Sequence, residues 1–168
     1  MPGNSDILVR AEGKLLFNGK EYRCALGKGG VRTDKREGDG ATPQGCFAIR
    51  EVLYRPDKFE KPPHTVLPTR PLSPDDGWSD DVALPEYNTL VKLPYSGSHE
   101  ELWRQDDLYD LIVVLGYNDP PVAGKGSAIF MHVAREAYTP TAGCVALSKV
   151  DLLEILGAAD AGIQVCIE

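Results

Sequence analysis

The chain has 168 residues and a formal charge of −7, from 18 Lys and Arg against 25 Asp and Glu. With 42% hydrophobic and 26% charged residues it can bury one sizeable core, which excludes a disordered chain. No apolar run approaches the ~20 residues of a membrane helix, and the acidic balance speaks against nucleic acid as a partner. Residues 1–6 lack a basic stretch leading into an apolar one, so no export signal is read there. Residues 7–10 and 14–17 are short apolar runs, and Asn18-Gly19 is a strong hairpin signal before a return strand over residues 21–26. Glycine-rich, charged sequence follows to Gly40. Its basic stretch, Lys28 to Arg36, is broken or flanked by Asp34, Glu37 and Asp39 and reads as a solvated loop. Gly27-Lys28-Gly29-Gly30 lacks the Gly-Lys-Ser/Thr ending of a phosphate loop. Residues 41–45 form a turn into a strand over residues 46–50.

Residues 55–98 hold most of the 13 prolines. Proline removes a ladder donor and breaks helix interiors, so this stretch, taken as 55–100, is expected to be an insertion or lid with little regular structure. Residues 109–116 read as a buried central strand and residues 127–133 as another. Ser148 caps a helix that ends at Gly157, and residues 162–167 close as a strand. The expected fold is mostly β, with one clear helix, in a single domain over residues 1–168.

The four cysteines, Cys24, Cys46, Cys144 and Cys166, form no close pair of the kind that holds zinc or a redox disulfide. A domain of this size does not need disulfides, so three buried thiols and one chemical thiol are expected. Residues 132–147, HVAREAYTPTAGCVAL, carry the chemistry. A core strand ends at His132, and a loop leads to Gly143-Cys144. Acyl transfer by cysteine needs a thiolate, a nearby imidazole and amide donors for an oxyanion. Gly143 lets backbone approach a substrate closely, and an imidazolium partner can depress a cysteine pKa. From spacing alone, a buried Cys144 and a hydrogen-bonded core His132 fit the same residues.

This segment resembles the active-site motif of the L,D-transpeptidase catalytic domain, the YkuD family. That motif has a histidine, a variable stretch and Ser/Thr-His-Gly-Cys; Thr141-Ala142-Gly143-Cys144 matches three of its four final positions. Gly40-Ala41-Thr42-Pro43-Gln44-Gly45-Cys46-Phe47 is similar to the family's Thr-Pro-x-Gly-x-Phe turn and strand, and the two motifs come in the family's order. The chain as a whole looks like a divergent, ErfK/YbiS-type branch. The resemblance implies a β-sandwich with a Pro-rich insertion, Cys144 as nucleophile, His132 as base, and amides at Gly143 and Cys144 for the oxyanion. It implies a peptidoglycan stem peptide or muropeptide as partner and no cofactor. There are departures: Ala142 replaces the family's second histidine, Ala146 replaces a frequent arginine, and His132 lies only 12 residues before Cys144.

Other residues have two readings each. Arg135 binds a peptide carboxylate or makes a surface salt bridge. His99 lines the cleft or is merely solvated; His99-Glu100-Glu101 is not a metalloprotease motif, and no metal site is read. Trp103, Arg104 and Trp78 form a peptide-binding wall or pin the insertion to the core. Asp110 and Asn118 orient a histidine or cap strand ends. Thr141 is a substrate-side candidate beside the nucleophile. The implied substrate places the protein in the cell envelope or periplasm, whereas the absent export signal keeps cytoplasmic wall precursors or recycled fragments open.

Overall fold

The computed structural model describes residues 5–168, so residues 1–4 of the leaderless N-terminal reading lie outside the described residues. The chain opens with a meander of β1 (Ile7–Arg10), β2 (Lys14–Phe17) and β3 (Lys20–Arg23). Asn18 and Gly19 take φ of 50° and 74°, as a two-residue turn matched to strand twist requires. The short parallel pair β4 (Val31–Arg32) and β5 (Thr42–Pro43) closes the glycine-rich loop. β6 (Gly45–Tyr54) is the longest strand, followed by β7 (Thr69–Pro71), β8 (Asp76–Ser79), β9 (Leu90–Lys92) and β10 (His99–Glu101). The chain ends through β11 (Leu111–Leu115), β12 (Phe130–Val133), β13 (Val145–Leu147), α1 (Lys149–Ala158) and β14 (Gln164–Ile167).

The main sheet runs β13-β12-β11-β6-β14-β1-β2-β3, with β7 also on β6. β6 serves both halves: residues 45–48 pair with β14 and residues 49–54 reach β11. A register shift between Val114 and Leu115 bends the ladder at that junction. The sheet's two ends then meet, because Ala25 and Ala146 exchange backbone hydrogen bonds of 2.8 and 2.9 Å. Between the halves lies the first core, with Ile7, Val9 and Leu15 on one side and Leu111, Val113 and Met131 on the other. α1 closes it with Leu152, Ile155 and Leu156, each buried side chain contributing roughly 2 kcal/mol. Ser148 caps that helix, its hydroxyl accepting from the Asp151 amide at 3.1 Å.

Two expectations need correction. The proline-rich stretch is not an irregular lid: β8, β9 and β10 form an antiparallel three-stranded sheet. Its prolines fall outside these three strands, where no ladder donor is lost. This small sheet covers the outer face of the main one, and strand alternation explains how. Leu111 and Val113 enter the first core, while Ile112 and Val114 enter a second with Leu72, Trp78, Leu102 and Phe130. Trp78 meets Phe130 edge to face at 5.0 Å, so it pins the insertion to the core. β11 is therefore buried on both faces, which is why its sequence is continuously apolar. The second correction concerns the cysteines. Cys46 and Cys166 are bonded across neighbouring strands, where the β6–β14 register sets them opposite each other. Only Cys24 and Cys144 are free thiols.

Candidate active site

β12 and β13 are parallel neighbours, and the loop between them carries the site. Along β12, Met131 and Val133 face the first core, so period-two alternation turns Phe130 and His132 to the opposite face. His132 is 5% exposed and Cys144 8% exposed, and both line one cleft of about 400 Å³. The imidazole Nδ1 lies 2.9 Å from the Val133 carbonyl. A carbonyl only accepts, so Nδ1 carries the proton and Nε2 is left as the basic nitrogen. Tyr109 packs edge to face on the ring at 5.4 Å and fixes its plane.

The thiol rests against backbone. Cys144 Sγ donates to the Ala128 carbonyl at 3.2 Å and accepts from the Phe130 amide at 3.4 Å. Burial foremost, then the nearby Glu100 carboxylate, pushes this thiol up to about 12, against the pull of the Phe130 amide and Lys35. Burial also takes His132 down to about 4, opposed by its bond to Val133 and helped by Arg104 and Arg135. Both directions favour a neutral thiol and a neutral imidazole over a thiolate–imidazolium pair. A neutral thiol and a neutral imidazole are the starting state that general-base chemistry at a thiol requires.

The two sequence motifs pack on each other. Gly143 has φ of 138°, and a β-carbon on it would lie 2.8 Å from the Ala41 carbonyl, beside Thr42-Pro43. Gly27 is wedged between the two loops, with its own absent β-carbon 2.9 Å from Gly143 Cα. Thr42 Oγ1 accepts from the Gly27 amide at 2.9 Å, and the Lys28 amide donates to the Thr141 carbonyl at 2.9 Å. The Thr-Pro turn is therefore the base on which the nucleophile loop sits. Thr141 Oγ1 donates to the Cys144 carbonyl at 2.7 Å and accepts from the Gly143 amide at 3.1 Å. Thr141 thus shapes the loop from within, and it occupies the Gly143 amide that sequence reasoning assigned to an oxyanion.

The other candidates divide. Arg135 is exposed and lines the cleft, with no ion pair among the described residues. His99 does not line it. Its Nδ1 is bound to the Gly97 carbonyl at 2.9 Å, and alternation along β10 gives the cleft Glu100 instead. Trp103 is also elsewhere, stacked 3.9 Å from the Arg55 guanidinium, which pins the loop. Arg104, paired with Asp106 at 2.7 Å, does reach the cleft. Asp110 orients no histidine; it is fully buried between Lys58 at 2.9 Å and Lys149 at 2.6 Å. Asn118 ties its own loop to Val122 and Gly126. Sequence reasoning missed Lys35, Glu100, Tyr109 and Ala128 as cleft residues. Among the described residues, no group of three or more His, Cys, Asp or Glu is placed to hold a metal ion.

The insertion also supports the thiol. Asn88 Oδ1 accepts from Trp78 Nε1 and from the Ala128 amide, both at 3.0 Å, and Ala128 holds the Cys144 proton through its carbonyl. Asn88→Ala is expected to cost about 1–3 kcal/mol through two buried, unsatisfied donors. Denaturant melts measure it; an unchanged midpoint would show that the insertion is not coupled to the loop through Asn88.

A β-sheet domain with a buried thiol and a base-form imidazole in one cleft defines a candidate cysteine-nucleophile fold. The sequence model of the L,D-transpeptidase catalytic domain (YkuD) matches residues 7–167, and the chain belongs to that family. Among solved structures, the chain is similar to the L,D-transpeptidase LdtMt1, determined in complex with imipenem. Identity is 13% and the TM-score 0.43, over 96% of this chain and 57% of that one. No curated protein sequence matches the chain.

Proposed function

We propose that this chain is a cysteine-dependent acyltransferase of peptidoglycan stem peptides. Cys144 Sγ attacks the carbonyl of an L-to-D bond in a donor peptide, and His132 Nε2 takes the thiol proton. The C–N bond then breaks, and the same imidazole protonates the departing amine. The acyl-enzyme passes to an amine acceptor, giving a cross-link, or to water, giving carboxypeptidase activity. The observation that carries this reading is a free thiol and an imidazole whose Nε2 has no partner among the described residues, in a single cleft of a chain of this family. Arg135, exposed on the rim, binds a substrate carboxylate. The substrate lies in the cell envelope, and the Cys46–Cys166 disulfide supports folding in an oxidising compartment.

The test is intact-mass analysis after incubation with a tetrapeptide donor, or with a carbapenem as acylating probe. The expected result is one acyl adduct on the wild type that maps to Cys144 and is lost in Cys144→Ala. An adduct on Cys24 would overturn the assignment. A protein that binds the peptide yet never forms an adduct would mark a wall-binding module. Product masses above those of the donor separate transfer from simple hydrolysis.

A further inference from the structure

Lys35 lies in the stretch whose charges suggest a solvated loop, yet its side chain is only 4% exposed. Its Nζ donates to Asp39 Oδ1 at 2.9 Å and to the Arg36 carbonyl at 3.5 Å. An ammonium has three N–H donors, so one is left without a protein acceptor among the described residues. Lys35 lines the same cleft as Cys144. Its Nζ is 3.5 Å from the point where a β-carbon on Gly143 would sit, next to the nucleophile. Its stem packs under Gly126, with Cε 2.9 Å from the corresponding point there.

A buried ion pair is poor evidence of a stabilising role, because apolar side chains of the same volume are often as stable or more so. The buried Lys35 ammonium, held by the partly buried Asp39 at the cleft wall, therefore asks for another reason. The site supplies one. Thr141 already occupies the Gly143 amide, and Ala142 has no side-chain donor where the family carries a histidine. Arg104 is paired with Asp106, and Arg135 is exposed beyond His132. Among these cations, Lys35 is the one whose field favours the Cys144 thiolate, whereas the two arginines act on His132.

We propose that Lys35 is the cation of the nucleophile loop, donating its third N–H to the oxyanion formed at Cys144 in place of the histidine that Ala142 replaces. This rests on the acyl-transfer reading above. As Sγ bonds to the carbonyl carbon, the π pair moves onto oxygen and the thiol proton passes to His132 Nε2. Lys35 donates its hydrogen bond to that oxygen until the C–N bond breaks.

Two measurements test it. In carbapenem acylation followed by mass, Lys35→Met lowers the maximal acylation rate about 100-fold, the loss typical of one oxyanion donor, while the concentration for half-maximal rate stays near wild type. A wild-type rate, or a loss confined to affinity, overturns the proposal. The second measurement does not need acyl transfer: iodoacetamide labelling of Cys144 as a function of pH. Glu100, Tyr109 and Lys35 act on the thiol directly, and His132, Lys28, Glu37, Asp80, Arg104 and Arg135 line the same cleft. Lys35→Met moves the labelling profile to higher pH. Asp39→Asn keeps the ammonium, removes its counter-charge and moves the profile to lower pH, so the pair remains informative if Lys35→Met folds poorly. Profiles that stay put, or move in the same direction, overturn the proposal. If the wild type forms no acyl adduct but the profiles move apart, the acyl-transfer reading fails while the charge placed at Cys144 is upheld.

Discussion

His132→Gln is expected to slow acylation of Cys144 at neutral pH by about 100- to 10,000-fold, the range for losing a positioned general base. Glutamine approximates the shape of the ring but cannot take a proton. The thiol makes the dependence steep. Held up to about 12 by burial and by Glu100, it supplies almost no thiolate at neutral pH, so attack needs a base in the same step. A free surface cysteine would lose far less. Stopped-flow or quenched acylation with a carbapenem measures the effect, and a loss of under tenfold would remove His132 from the mechanism.

The same histidine sets the acid side of the pH profile. Burial foremost lowers its pKa to about 4, so the base form persists well below the ordinary histidine range. Acylation should fall as pH drops through about 4, not near 6.5. Stability follows the same proton. The unfolded chain protonates this histidine near 6.5, whereas the folded chain resists until about 4. The unfolded state therefore binds more protons in that window. The resulting stability is complete above about pH 6.5 and is lost as pH falls toward 4, on the order of 3 kcal/mol. His132→Gln should flatten that part of the stability profile. An acid limb of wild-type activity centred near 6.5 would mean a solvated imidazole.

How far the sequence reaches here depends on whether a signal is local. The Asn18-Gly19 turn, the Ser148 cap and the apolar run of β11 were legible because each is written in adjacent residues. Cys144 and His132 were legible as candidates because the motif spans one strand end and the short loop that follows it. The insertion was misread because proline counts describe a segment, whereas its strands lie between the prolines. Lys35 was misread for a related reason. Charge density predicts solvation only on average, and burial of one lysine depends on Gly126 and Gly143 leaving space beside it. Glu100 could have been found: if β10 alternates, His99 and Glu100 cannot both face the cleft. The Cys46–Cys166 bond needed the β6–β14 register, a pairing of residues 120 apart that no local pattern encodes.

Gly143→Ala is expected to be the most damaging methyl group that can be added to the loop. The position has φ of 138°, and the new carbon would sit 2.8 Å from the Ala41 carbonyl and 3.4 Å from Ile129 Cδ1. Both obstacles are fixed, one being backbone of the Thr-Pro turn and the other a side chain of the first core. The loop must therefore move, which takes Cys144 away from the Phe130 amide and from Lys35. A cost of about 2–3 kcal/mol in stability and at least a 100-fold loss of acylation should follow. Gly162→Ala is the control. Its φ is 82°, but no atom outside its chain neighbours lies within 4 Å of the added carbon, so it should cost about 1–2 kcal/mol of strain and leave acylation unchanged. If Gly143→Ala merely matched that control, contact with the Thr-Pro turn would not be what holds the nucleophile in place.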